Sequence, residues 1–80
     1  KMSKVSQDIL LQRAEKAFLQ GDYAAALRSY GLILKDYPSL DEAKVGAYLS
    51  DLGEENTEEA QALFDYYQMI KTEKQNAVEI

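Results

Sequence analysis

The sequence predicts an all-α fold of four helices, arranged as two antiparallel helix-turn-helix hairpins hinged near Pro38. Three observations predict it. Apolar residues recur at three- and four-residue steps in four successive stretches. The single proline and the four glycines fall where a helical reading wants punctuation. Two polar tetrapeptides with a carboxylate in fourth place, Ser39-Leu40-Asp41-Glu42 and Asn56 through Glu59, have the form of capping boxes. Helices of about 12 to 14 residues joined by short turns fold back on themselves as hairpins.

The first helix is expected over Gln7 to Leu19, with Ser6 or Ser3 as N-cap and Ile9, Leu10, Ala14, Ala17 and Phe18 at helical spacing. Gln20-Gly21-Asp22 ends it, and Asp22 caps a second helix from Tyr23 to about Asp36. The stripe Ala26, Leu27, Tyr30, Ile33, Leu34 and Tyr37 runs along that helix. Pro38 stops it, because the residue before a proline is pushed out of the helical region. Ser39 then opens a third helix, about Asp41 to Leu52, carrying Ala43, Val45, Ala47, Tyr48, Leu49 and Leu52 and terminated by Gly53. Asn56 opens the fourth, with Ala60, Leu63, Phe64, Tyr67 and Ile70 on one side and Ala62, Tyr66 and Met69 beside them. So broad an apolar face must touch more than one neighbour. Gly31, inside the second helix, costs about 1 kcal/mol against alanine; it either marks a close backbone contact or is simply tolerated.

Composition narrows the function. The chain has 80 residues, 46% of them apolar and 29% charged, with a formal charge of −5 and neither Cys nor His. That is the composition of a small globular domain. There is no thiolate nucleophile, imidazole base, disulfide framework or conventional zinc site, and no catalytic, metal-ligating or cofactor-binding residues are expected. Carboxylate pairs such as Asp8 with Glu15, or Glu58 with Glu59, read as a solvated face and a helix start rather than acid-base machinery. An acidic balance argues against nucleic acid as a partner. No apolar run, Ile9-Leu10-Leu11 among them, comes near a membrane span, and Lys1-Met2-Ser3-Lys4 is followed by no signal-peptide core. The expected compartment is the cytoplasm, with the periplasm as the alternative. The charge is uneven: residues 1–40 hold six basic and four acidic side chains, residues 41–80 three and ten. One half is thus faintly basic at +2 and the other strongly acidic at −7.

The chain also repeats itself. A shift of 34 residues places Ala26 on Ala60, Tyr30 on Phe64, Leu27 on Gln61 and Ile33 on Tyr67. The stretch from Arg13 to Pro38 has a small residue at Ala14, the turn Gly21-Asp22-Tyr23, a small Ala26, an aromatic Tyr30 and the final Pro38. In these features it resembles the tetratricopeptide repeat family. The resemblance covers about 70 of the 80 residues, as one repeat over about 6–38 and a weaker one over about 39–72. The second unit fits the pattern only with one residue deleted from the turn Gly53-Glu54-Glu55-Asn56. Thr72 stands where a repeat-ending proline would be, so the last helix is free to run on as an extension within 73–80. Arg13 and Ala17 depart from the Leu and the aromatic residue usual at those places.

The resemblance implies a single domain built as a short α-solenoid. Ala14, Gly21, Ala26, Tyr30, Pro38, Ala60 and Phe64 would do the repeat packing. It further implies a protein-protein interaction scaffold whose first helices line a concave groove that receives a peptide or helix of a partner protein. On this sequence the groove would include Asp8, Leu11, Glu15 and Leu19, with Val45 and Leu49 in one register of the second unit or Gly46 and Ser50 in the other. A subclass of the family grips a C-terminal carboxylate with a Lys and an Asn; here those places hold Leu11 and Glu15, so that clamp is missing. An apolar groove edged by carboxylates would favour an amphipathic or basic segment. About three repeats are generally needed for stability and two are visible. The alternative role is therefore a structural oligomerisation module of a larger repeat protein, with a +2 half lying against the −7 half of another copy.

Overall fold

The structure, a computed structural model, describes residues 7–77, and side chains over 7–72. The chain forms α1 (Gln7–Leu19), α2 (Tyr23–Asp36), α3 (Asp41–Glu55) and α4 (Thr57–Ala77), with no strand among the described residues. Ser3 and Ser6, offered as caps for α1, lie outside them. The extension expected after residue 72 is helical to Ala77, and residues 78–80 fall outside the described part.

Local chemistry accounts for most of the boundaries. After α1 the Asp22 N–H donates to the Ala17 carbonyl and the Gly21 N–H to the Phe18 carbonyl, both at 3.0 Å. This is the paired closure that needs a left-handed residue after the helix, and Gly21 has φ +85°. Asp22 then caps α2, its Oδ1 accepting from the Ala25 N–H at 3.2 Å. Tyr37, kept out of the helical region by Pro38, closes α2 by donating its N–H to the Ile33 carbonyl. Asn56, alone between α3 and α4, does two jobs. Its N–H donates to the Leu52 carbonyl at 2.7 Å, and its side chain accepts from the Glu59 N–H and donates to the Glu59 carboxylate, each at 3.2 Å.

Two boundary expectations need correction, both at α3. Ser39 does not form a capping box: the cap position is Leu40, with no side-chain cap bond. Its partner in that box, Glu42, instead accepts a charge-assisted hydrogen bond from the Lys71 ammonium on α4. Gly53 does not terminate α3, which continues to Glu55. A Cβ at Gly53 would come within 2.6 Å of the Tyr23 ring, and one at Gly46 would overlap the Tyr30 ring. These glycines let α3 lie close on α2. Gly31, the glycine singled out for a close contact, has nothing within 4 Å of its Cβ position.

The α2–α3 contact is accordingly the most extensive helix interface, followed by α1–α2 and α3–α4. The core takes Leu11, Ala14 and Phe18 from α1, Tyr23, Ala26, Tyr30 and Ile33 from α2, Ala43 and Leu49 from α3, and Ala60 and Phe64 from α4. Leu11 replaces Ile9, which was expected in the α1 stripe and is exposed. Phe18, fully buried, stacks on Phe64 with ring centroids 4.2 Å apart and meets the edge of Tyr23 at 5.0 Å. The shortest dimension, 20 Å, is about two helix diameters, so every helix keeps an outward side.

Candidate functional site

The position of α4 decides which surfaces are open. Its first turns are tied to the end of α1: Gln61 Nε2 donates to the Phe18 carbonyl at 3.2 Å and to the Tyr23 hydroxyl at 2.7 Å. One turn on comes the Phe64–Phe18 stack, and after it Gln68 Nε2 donates to Glu15 at 3.3 Å. The sequence of partners, Phe18 and then Glu15, shows α4 running antiparallel beside α1.

The result is a polar cleft of about 360 Å³ with walls from α1, α3 and α4, lined by Asp8, Leu11, Gln12, Glu15, Glu42, Gln68, Lys71 and Thr72. Lys71 reaches both Glu42 and, at 3.7 Å, Glu15. Its ammonium also lies 5.7 Å from the centre of the Tyr67 ring. Tyr30, buried nearby, has its phenol pushed well above the ordinary tyrosine value, first by burial and then by the negative charges of Glu15 and Glu42. The Tyr67 phenol is raised for the same two reasons, burial first and Glu42 second. Lys71 bridges two of the three carboxylates of this lining, Glu15 and Glu42, and with Asp8 the cleft stays net acidic. Among the described residues no group of three or more His, Cys, Asp or Glu could hold a metal ion.

On the other side of α4 lies a trough of about 270 Å³ between α3 and α4, lined by Val45, Tyr48, Leu49, Leu63, Tyr66, Tyr67 and Ile70. Its lining is apolar or aromatic throughout. Three of these side chains, Tyr48, Leu63 and Tyr66, are among the large exposed hydrophobic residues of the chain. The helical repeat that creates the trough places Val45, Tyr48 and Leu49 on one face of α3, and Leu63, Tyr66, Tyr67 and Ile70 on the facing side of α4. The acidic end of the trough is the α3–α4 turn, with exposed Glu54, Glu55, Glu58 and Glu59, whereas Asp41 at the start of α3 is paired with Lys44 at 4.0 Å.

A smaller hollow of about 190 Å³ lies on the far side of the first hairpin, lined by Leu10, Arg13, Ser29, Leu32, Ile33 and Asp36.

The residues expected to line one concave groove are therefore divided. Asp8, Leu11 and Glu15 line the polar cleft, with Leu11 itself a core residue. Val45 and Leu49 line the apolar trough. Leu19, 59% exposed, lines neither. In the alternative register, Gly46 and Ser50 are buried, the Ser50 hydroxyl donating back to the Gly46 carbonyl at 2.8 Å. Sequence reasoning missed Lys71 and Gln68 as cleft residues. The available signal was Lys71 itself, one of three cations, with Lys44 and Lys74, on the acidic half of the chain. No helix among the described residues is long and apolar enough to cross a membrane. No protein-family model matches this chain, and no curated protein or solved structure is significantly similar to it.

Proposed function

We propose that this chain is a tetratricopeptide-type protein-interaction module that binds a helix of a partner protein, and that the trough between α3 and α4 is its docking surface. The trough supports this reading because its seven lining residues are all apolar or aromatic, while the cleft beside α1 is polar and bridged by Lys71. Amphipathic helices dock by laying apolar side chains at three- and four-residue spacing into such grooves. Tyrosines suit the task, offering large rigid area with a polar tip at the rim. The acidic end selects for a helix carrying Lys or Arg beside its apolar stripe. The repeat reading accounts for the two hairpins, with Tyr30 of the first set against Gly46 of the second.

Selection from a displayed library of amphipathic helical peptides tests the proposal. The expected winners carry basic residues flanking an apolar stripe, shift the amide signals of Val45, Leu49 and Leu63, and lose binding to a Tyr66→Glu variant. Winners that instead shift Gln12 and Glu15 and ignore Tyr66→Glu would move the docking surface to the cleft. No enrichment at all would remove the binding role.

A further inference from the structure

We infer that the occupant of the trough is a second copy of this chain, applied through the outer face of its α1–α2 hairpin, so that copies associate head to tail. This rests on the reading of the trough as a docking surface and supplies its partner.

Charge and shape complementarity carry it. On α2, Arg28, Leu32 and Lys35 follow one another at four- and three-residue steps, which places them along one side of the helix. Leu32 is 65% exposed, among the most exposed large apolar side chains of the chain. Beside it, Arg13 opens onto the same hollow as Leu32, and Lys16, Arg28 and Lys35 are exposed. The acidic residues of this hairpin are mostly turned to other duties: Asp8 and Glu15 line the polar cleft and Asp22 caps α2, leaving Asp36 in the hollow. Leu32 is an exposed apolar knob at the rim of that hollow, with cations around it. The trough is its counterpart, an apolar slot with a cluster of four exposed glutamates at the α3–α4 turn and Asp41, already paired with Lys44, at the other end. With Leu32 of one copy seated between the α3 and α4 faces of the next, Arg28 and Lys35 meet the carboxylates, and the Tyr48 and Tyr66 rings meet Arg13.

Because the two faces differ and lie on different hairpins, the contact is heterologous and leaves one free face of each kind on every dimer. Association therefore continues beyond two copies as concentration rises.

Sedimentation equilibrium on the full chain at low ionic strength tests this. The expected mass rises with concentration and does not level at a dimer. Leu32→Glu and Tyr66→Glu each weaken self-association about tenfold or more, a change of about 1.4 kcal/mol. Mixed together, the two variants form a one-to-one complex and nothing larger. The Leu32→Glu copy still offers an intact trough, and the Tyr66→Glu copy an intact basic face. Both side chains are more than half exposed, so circular dichroism should show unchanged helicity; Arg28→Glu with Lys35→Glu tests the same face without touching its apolar knob. If Leu32→Glu still self-associates while Tyr66→Glu does not, the contact is trough on trough and the head-to-tail inference is overturned. If the wild-type chain stays monomeric throughout, the second copy is excluded, and the peptide selection above decides separately whether the trough binds anything else.

Discussion

At the scale of single residues, the glycines separate two things that look alike in a sequence. Gly46 and Gly53 stand seven apart on α3, opposite Tyr30 and Tyr23, which stand seven apart on α2. Both rings are buried, so neither can swing aside for a methyl group. Gly46→Ala and Gly53→Ala should each cost about 1–3 kcal/mol through overpacking. Gly31 has open space at its Cβ position and no positive φ, so Gly31→Ala should instead gain about 0.5–1 kcal/mol. Urea denaturation of the three variants checks both signs at once. The sequence could not distinguish these glycines, because what makes two of them necessary is a ring 16 residues away for Gly46 and 30 for Gly53. Tyr30 supplies a second prediction at this scale. Its phenol is raised by burial beside Glu15 and Glu42, so at alkaline pH the unfolded chain releases a proton that the folded chain keeps. The stability it contributes is fully present below the unfolded value near 10 and declines as the pH rises above it. Tyr30→Phe should flatten that decline in urea midpoints measured between about pH 9 and 11.

At the scale of elements, the four helices were legible because their signals are local. Gly21 with Asp22, Pro38, and Asn56 with Glu59 each act within a few residues, and each boundary they mark is present. The start of α3 was misread for the opposite reason: Glu42 completes a cap on paper, but Lys71, 29 positions along the chain, holds it. The seat of α4 on α1 was illegible by the same logic. Beside the hydrogen bonds of Gln61 and Gln68, an aromatic stack and a charged bridge make that seat, and magnitudes rank these two. The Phe64 ring is buried against Phe18, and Phe64→Ala should cost about 3–5 kcal/mol. Lys71 and its two carboxylates each keep about a quarter of their side-chain exposure, so water screens them, and Lys71→Ala should cost about 1 kcal/mol or less. Amide exchange should show α4 losing protection in Phe64→Ala and retaining it in Lys71→Ala. Equal losses would mean that the charged bridge fixes the helix as much as the aromatic stack does.

At the scale of the whole molecule, an 80-residue chain buries only about 60% of the surface it exposes when unfolded, so its stability rests on a small core. That core is centred on the rings of Phe18, Tyr23, Tyr30 and Phe64. Two apolar surfaces remain outside it, one around Leu32 and one around Tyr48 and Tyr66. Covering them with another copy couples folding to concentration. A partner that binds only the folded form adds about 2.7 kcal/mol when present at a hundred times its dissociation constant. At about 4–8 °C per kcal/mol for a domain of this size, the thermal midpoint should climb by roughly ten degrees or more over such a range. Salt should reduce the climb without abolishing it, because screening weakens the attraction of Arg28 and Lys35 for the acidic end and leaves the burial of Leu32 intact. Thermal melts at several protein concentrations, each in low and high salt, read both effects. A midpoint that stays fixed in the wild-type chain would mean that the two hairpins are stable uncovered. A midpoint that climbs equally in the Tyr66→Glu variant would mean that the copies meet somewhere other than the trough.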